Sequence, residues 1–107
     1  MQIVGHIDEM RGGWFIGDFL PSILRTPDFE VCYKVHKKGE IHGAHIHMIA
    51  TEYNLLIRGS MTIDEQLIKP GELFILYPGD TADPVFHEDC EVIVVKVPSV
   101  IGDKYDV

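Results

Sequence analysis

Residues 39–59 read GEIHGAHIHMIATEYNLLIRG. Three of the chain's six histidines, His42, His45 and His47, fall within six positions, and Glu52, the run LLI and Gly59 follow. GAHIHMI (43–49) and EYNLLIRG (52–59) each read as a short strand, separated by a brief link. On a strand, residues two apart project from one face. His45 and His47 therefore point together, at a spacing that lets two imidazoles grip one ion. His42 has the opposite parity and is expected to stay out of that site. Glu52 opens the next strand, where it can face the two rings if the strands pair. Two histidines and one carboxylate with open positions suit Fe(II), and similar sites take Mn, Ni or Zn. An HxH pair by itself is more often a solvated strand edge than a metal site.

The rest of the chain continues in strands and turns. FEVCYKVHK (29–37) alternates, with Phe29, Val31, Tyr33 and Val35 on one face and Glu30, Cys32, Lys34 and His36 on the other. RGS (58–60) is a turn, and MTIDEQLI (61–68) reads as a hairpin bending at Asp64-Glu65. KPGE (69–72) and YPGD (77–80) are turns around LFILY (73–77), a continuous apolar run of the kind found in strands covered on both faces. CEVIVVKV (90–97) is rich in β-branched residues and ends at Pro98. No long window has helical periodicity; residues 16–24 have room for one helical turn, limited by Pro21 and Pro27. Many short strands with Gly/Pro turns predict an all-β fold, an antiparallel β-barrel or sandwich of two packed sheets. Strands are expected near 31–37, 43–49, 52–58, 73–77 and 90–97. Residues 1–28 are less regular and are expected to wrap the barrel or add an edge strand, with 29–98 forming its core.

Composition bounds the function. The chain has 107 residues, suited to a single domain over 1–107. Lys plus Arg number 9 against 17 Asp plus Glu, a net charge of −8, with no basic cluster. Such a chain repels phosphate backbones, so no nucleic-acid partner is expected. MQIVGHIDEM has no basic start followed by an apolar run, and LFILY and VIVV are far too short to cross a bilayer. No membrane partner and a cytoplasmic location are expected. Cys32 and Cys90 are isolated and read as buried free thiols.

The glycines add a pattern: Gly39, five residues, His45, one, His47, four, Glu52, six, Gly59. This spacing matches every defined position of the first signature of the cupin superfamily. From about residue 31 to 98 the chain resembles a small single-domain cupin. The resemblance implies a jelly roll and a divalent metal cofactor (Fe, Mn, Ni or Zn) on His45, His47 and Glu52. The second signature is only partly matched. GELFILYPGDTADPVFH (71–87) supplies Gly71, the strand and Pro78-Gly79, but the position of the expected histidine is Ala82. Asp83 or His87 is then the candidate fourth ligand, and each has a plain alternative as a loop residue.

Other candidates follow from strand parity. Lys34 and His36 contact a substrate if their face points inward, and are solvated if it points out. Asn54 shares a face with Glu52, and a buried amide there needs a partner or ligand. Tyr77, where many cupins have proline, and His87 are the candidate proton carriers. The first functional reading is an enzyme on a small oxygenated substrate, such as a sugar, sugar-nucleotide or keto-acid. Its metal would act as a Lewis acid in isomerisation or elimination. A non-catalytic cupin that binds a small molecule at a degenerate metal site is the alternative, and an Fe(II) dioxygenase is the third. A homodimer through residues 1–20 is expected, because an edge strand needs cover.

Overall fold

The computed structural model describes all 107 residues. Eleven strands follow two 3₁₀ turns, Ile7–Glu9 and Arg11–Gly13. They are β1 (Trp14–Ile16), β2 (Glu30–His36), β3 (His45–Ile46), β4 (Thr51–Arg58), β5 (Met61–Ile63), β6 (Gln66–Ile68), β7 (Leu73–Leu76), β8 (Thr81–Ala82), β9 (Val85–Phe86), β10 (Cys90–Val97) and β11 (Tyr105–Asp106). Five form one antiparallel sheet in the order β1-β2-β10-β4-β7. Two three-stranded sheets, β11-β3-β8 and β6-β5-β9, complete the jelly roll.

β10 is the centre of the large sheet. It pairs with β2 from Cys90↔His36 to Lys96↔Glu30, and with β4 from Glu91↔Arg58 to Val97↔Thr51. Its β-branched run suits a strand with partners on both sides. Cys90, Val92, Val94 and Lys96 alternate inward. The first three pack with Cys32, Leu56, Met61, Ile63, Ile68 and Phe86 in one apolar cluster, which draws the β6-β5-β9 sheet over the Cys90 end of β10. Burying a Leu- or Ile-sized side chain contributes about 1.5–3 kcal/mol. The opposite end of the sheet carries Glu30, Asn54 and Lys96 among its buried residues. The core is thus apolar at one end and polar at the other.

Two connections have visible local causes. Asp64 (φ 49°) and Glu65 (φ 62°) form the two-residue loop between Ile63 and Gln66, both left-handed as a type I′ hairpin requires. Gly59 has φ +93°, and a Cβ there would stand 2.4 Å from the Asp89 carbonyl oxygen. Only glycine fits between β4 and the start of β10.

Several expectations change. β3 covers only 45–46 of the strand expected over 43–49, because the chain turns away after His47. Residues 16–24 hold no helix, and 14–16 form an edge strand instead. LFILY is not covered on both faces: β7 is the other edge, with Leu73 and Ile75 exposed. Its outward positions, like Tyr53 and Ile57 of β4, are apolar although exposed, so hydrophobicity alone does not separate this edge strand from a covered one. The short strand β11, beyond residue 98, pairs with β3 and was not anticipated. No helix is long and apolar enough to cross a membrane.

Candidate functional site

The sheets enclose a cavity of about 590 Å3. Its floor is the inward face of the large sheet, including Glu30, Cys32, Lys34 and His36 of β2 and Glu52 and Asn54 of β4. The strand parity left open by the sequence is thereby settled, and Lys34 and His36 face the cavity. Lys34 bends to the N-terminal segment, its Nζ donating to the Gly12 carbonyl at 3.0 Å.

His47 and Glu52 meet. His47 Nε2 lies 2.6 Å from Glu52 Oε2, and His47 Nδ1–H donates to the Asp103 backbone carbonyl. The Nδ1 bond sets the ring orientation and aims Nε2 at the carboxylate, as a supporting hydrogen bond does for a ligating histidine. The hydrogen bond to Glu52 raises the His47 pKa above its ordinary value, against the opposing effect of burial. His45 is shifted the other way: burial lowers its pKa, helped by the Lys104 charge, so its ring stays neutral. The two rings are 5.8 Å apart between centroids, and His45 Nδ1 is buried without a hydrogen-bond partner. Two imidazoles, one carboxylate and an orphaned ring nitrogen fit a divalent ion. His45 stands back from the pair, since the three donors do not all lie within 4.8 Å of one another. One set does meet that condition, His36, Glu40 and His42.

Asp83 and His87, the candidates for a fourth ligand, both lie off the cavity wall. Ala82 is buried, lines the cavity and pairs directly with His45 across β3 and β8, so a methyl group occupies the position of the expected histidine. Asp83 is exposed and off the cavity wall, because strand alternation turns it away from Ala82's side. His87 is also outside: it is exposed, and its Nε2 shares a 2.6 Å hydrogen bond with Thr62 Oγ1. Tyr77 is 57% exposed at the end of edge strand β7 and does not line the cavity either. Neither proposed proton carrier reaches the site.

The sequence reading missed a second polar group in the wall. Lys96 Nζ pairs with Glu30 Oε1 at 3.1 Å, Ser99 Oγ donates to Glu30 Oε2 at 2.7 Å, and the Lys96 ammonium sits 5.4 Å from the centroid of the Trp14 ring. The inward alternation of Cys90, Val92 and Val94 was the available signal for Lys96. Asp103 was also missed. It is 2% exposed, and its carboxylate accepts from the backbone N–H groups of Met48 (3.0 Å), Ile49 (3.0 Å) and Ala50 (2.9 Å). Burial alone would raise its pKa; the three donors outweigh that and hold it below the usual value. Asn54 is buried, and its Nδ2 has no partner. Cys32 and Cys90 are free and buried, and burial lifts the Cys32 thiol to about 11. Neither is a reactive thiolate.

No family model matches the chain. It is 35% identical over 81 residues to the XylDLEGF operon transcriptional activator 3 of Pseudomonas putida, across 76% of this chain and 20% of that protein. The chain spans about one fifth of the length of these curated relatives. Among solved structures, it resembles a conserved protein with a double-stranded beta-helix domain from Klebsiella pneumoniae (TM-score 0.71, 18% identity, 97% of this chain and 90% of that one). It also resembles the DMSP lyase DddQ from Ruegeria pomeroyi (TM-score 0.72, 11% identity, 88% and 49%). A cupin-2 domain containing protein from Shewanella frigidimarina aligns with TM-score 0.56 and 18% identity over 70% of this chain and 76% of that one. Strand order, inward face and these neighbours agree: the chain folds as a cupin jelly roll.

Proposed function

We propose that the chain is a binding domain for a small oxygenated molecule, held in the cavity beside a divalent ion on His45, His47 and Glu52. One observation carries this reading. The two buried side-chain atoms without hydrogen-bond partners, His45 Nδ1 and Asn54 Nδ2, belong to residues that line the same cavity. Buried polar atoms are rarely left unpaired, and convergent unpaired groups in a largely apolar pocket suit a ligand. In this reading His45 completes the ion's donor set and the Asn54 amide donates to a ligand oxygen. The bound ion would supply Lewis acidity toward that oxygen. Binding without turnover is favoured because Tyr77 and His87 lie outside the cavity and Ala82 replaces a ligand. It also suits a chain similar to part of a transcriptional activator.

A metal-dependent enzyme of the isomerase or lyase kind is the second reading. The enzymes among the structural neighbours favour it, although fold alone does not carry function. Equilibrium dialysis of untagged protein against Fe(II), Mn(II), Ni(II) and Zn(II) tests the shared ion. Melting shifts with a panel of sugars, hydroxy-acids and keto-acids then test the ligand. The binding reading expects a shift that Asn54→Leu and His45→Ala each abolish, with the ligand recovered unchanged. A shift that survives both substitutions refutes it, and chemical conversion of the ligand transfers the case to the enzyme.

A further inference from the structure

His36 and His42 line the cavity, and with Glu40 they form a second donor cluster, distinct from His45, His47 and Glu52. His36 ends β2, and Glu40 and His42 lie in the loop that follows. His36 Nδ1–H donates to Glu40 Oε2 at 2.7 Å, and His42 Nε2–H donates to the same oxygen at 2.5 Å. One atom from each residue lies within 4.8 Å of the others.

The cluster is held from outside. The His36 ring stacks on Phe86 with centroids 4.2 Å apart and planes inclined by 16°. The His42 ring meets the same Phe86 edge-on at 5.6 Å. The loop is anchored to β9 by the Gly39 N–H, which donates to the Phe86 carbonyl at 3.0 Å, and tightened by the Glu40 N–H to the Lys37 carbonyl at 3.0 Å. Both rings and the intervening backbone are therefore keyed to one residue. Their arrangement does not depend on an ion holding it together.

The geometry points to a second divalent transition-metal site, formed by His36 Nδ1, Glu40 Oε2 and His42 Nε2. Two imidazoles and a carboxylate favour Zn, Ni, Cu or Fe over Mg or Ca. Metal–ligand bonds of about 2.0–2.1 Å in a tetrahedral site place donors roughly 3.3 Å apart. The present 2.5 and 2.7 Å separations open to that value with small side-chain movements. For the ion to bind, each ring proton moves from the ligating nitrogen to the other ring nitrogen, so both histidines ligate as neutral imidazoles. Protonation is in keeping: the hydrogen bonds from His36 and His42 take the Glu40 carboxyl down to about 2, and burial lowers the pKa of His36.

The two donor sets are well separated. His36 lies opposite Cys90 on β10, and Glu52 lies opposite Lys96. Six residues of strand at about 3.3 Å each put His36 and Glu52 some 20 Å apart along the sheet, and none of His45, His47 and Glu52 joins the His36, Glu40 and His42 donors within 4.8 Å. One ion cannot serve both.

Zn(II) titration of the full chain against a chromophoric chelator tests the site. A chain carrying His45→Ala and His47→Ala is expected to retain one equivalent of Zn(II). Adding Glu40→Gln or His42→Ala should remove it, with an affinity loss beyond the roughly 10–100-fold of a lost supporting hydrogen bond. In the wild-type background, Glu40→Gln and His42→Ala should each lower the stoichiometry by one equivalent. Both alter partly exposed side chains, and circular dichroism checks the fold. An unchanged stoichiometry in folded Glu40→Gln and His42→Ala chains overturns the proposal, and the cluster is then a hydrogen-bonded triad only.

Discussion

Asp103→Asn is the sharpest test of how the β3–β4 link is held. The substitution keeps the side-chain shape and removes a charge and one acceptor. In the wild type, Oδ1 accepts from Met48, while Oδ2 accepts from Ile49 and Ala50. An amide has one acceptor oxygen, so in either orientation its NH2 faces at least one backbone N–H. At best one bond is lost and two become neutral. Bonds to a charged group contribute about 1.5–3 kcal/mol and neutral ones about 0.5–1.5 kcal/mol. Water access at the exposed Met48 and Ile49 offsets part of the loss. The expected destabilisation is about 2–4 kcal/mol, a fall of about 10–20 °C in melting temperature. Urea denaturation at neutral pH measures it. The acid limb gives a second reading. The folded-state pKa of Asp103 is depressed, so its contribution is present above the unfolded value of about 3.9 and is lost as pH falls through the lower folded value. That part of the acid transition should disappear in the Asn variant. Destabilisation below about 1 kcal/mol, which neutral bonds alone can supply, refutes the three-bond account.

In metal-free protein, an NMR titration should find His47 protonating above the usual histidine value and His45 below it. Glu52→Gln should bring His47 down; the stability that this pair adds is present below the unfolded pKa and lost as pH rises through the raised folded one. Glu65→Gly should stabilise the hairpin by about 1 kcal/mol by removing a left-handed non-glycine residue, and an unchanged urea midpoint contradicts the turn assignment. A homodimer through residues 1–20, where Met1, Ile3 and Val4 are exposed, predicts a dimer mass by sedimentation at micromolar concentration; a monomer removes it.

Periodicity and punctuation made the strands legible. The β-branched run 90–97 emerged as the central strand, and the Asp64-Glu65 bend as the hairpin loop, because each depends on neighbours in sequence. The jelly roll was implied by the cupin resemblance that the residues from Gly39 to Gly59 carry, and Gly59 has a steric reason to be glycine. Same-face parity brought Glu52 toward His47, since alternation is a local property. What parity could not decide was which face is inside. β2 carries chargeable residues on one side and apolar residues on the other, yet the charged side faces the cavity. That choice depends on β10 and the small sheets packed over it, which are distant in sequence. Asp83 and His87 are near Ala82 along the chain and Tyr77 follows β7 directly, yet none of the three lines the cavity. Asp103 binds backbone groups 53–55 positions earlier, and Lys96 finds Glu30 only through strand pairing. Local pattern therefore determined the strands and the fold class. Only long-range pairing decided which polar groups are buried together, because desolvation and hydrogen bonding act on what is close in space.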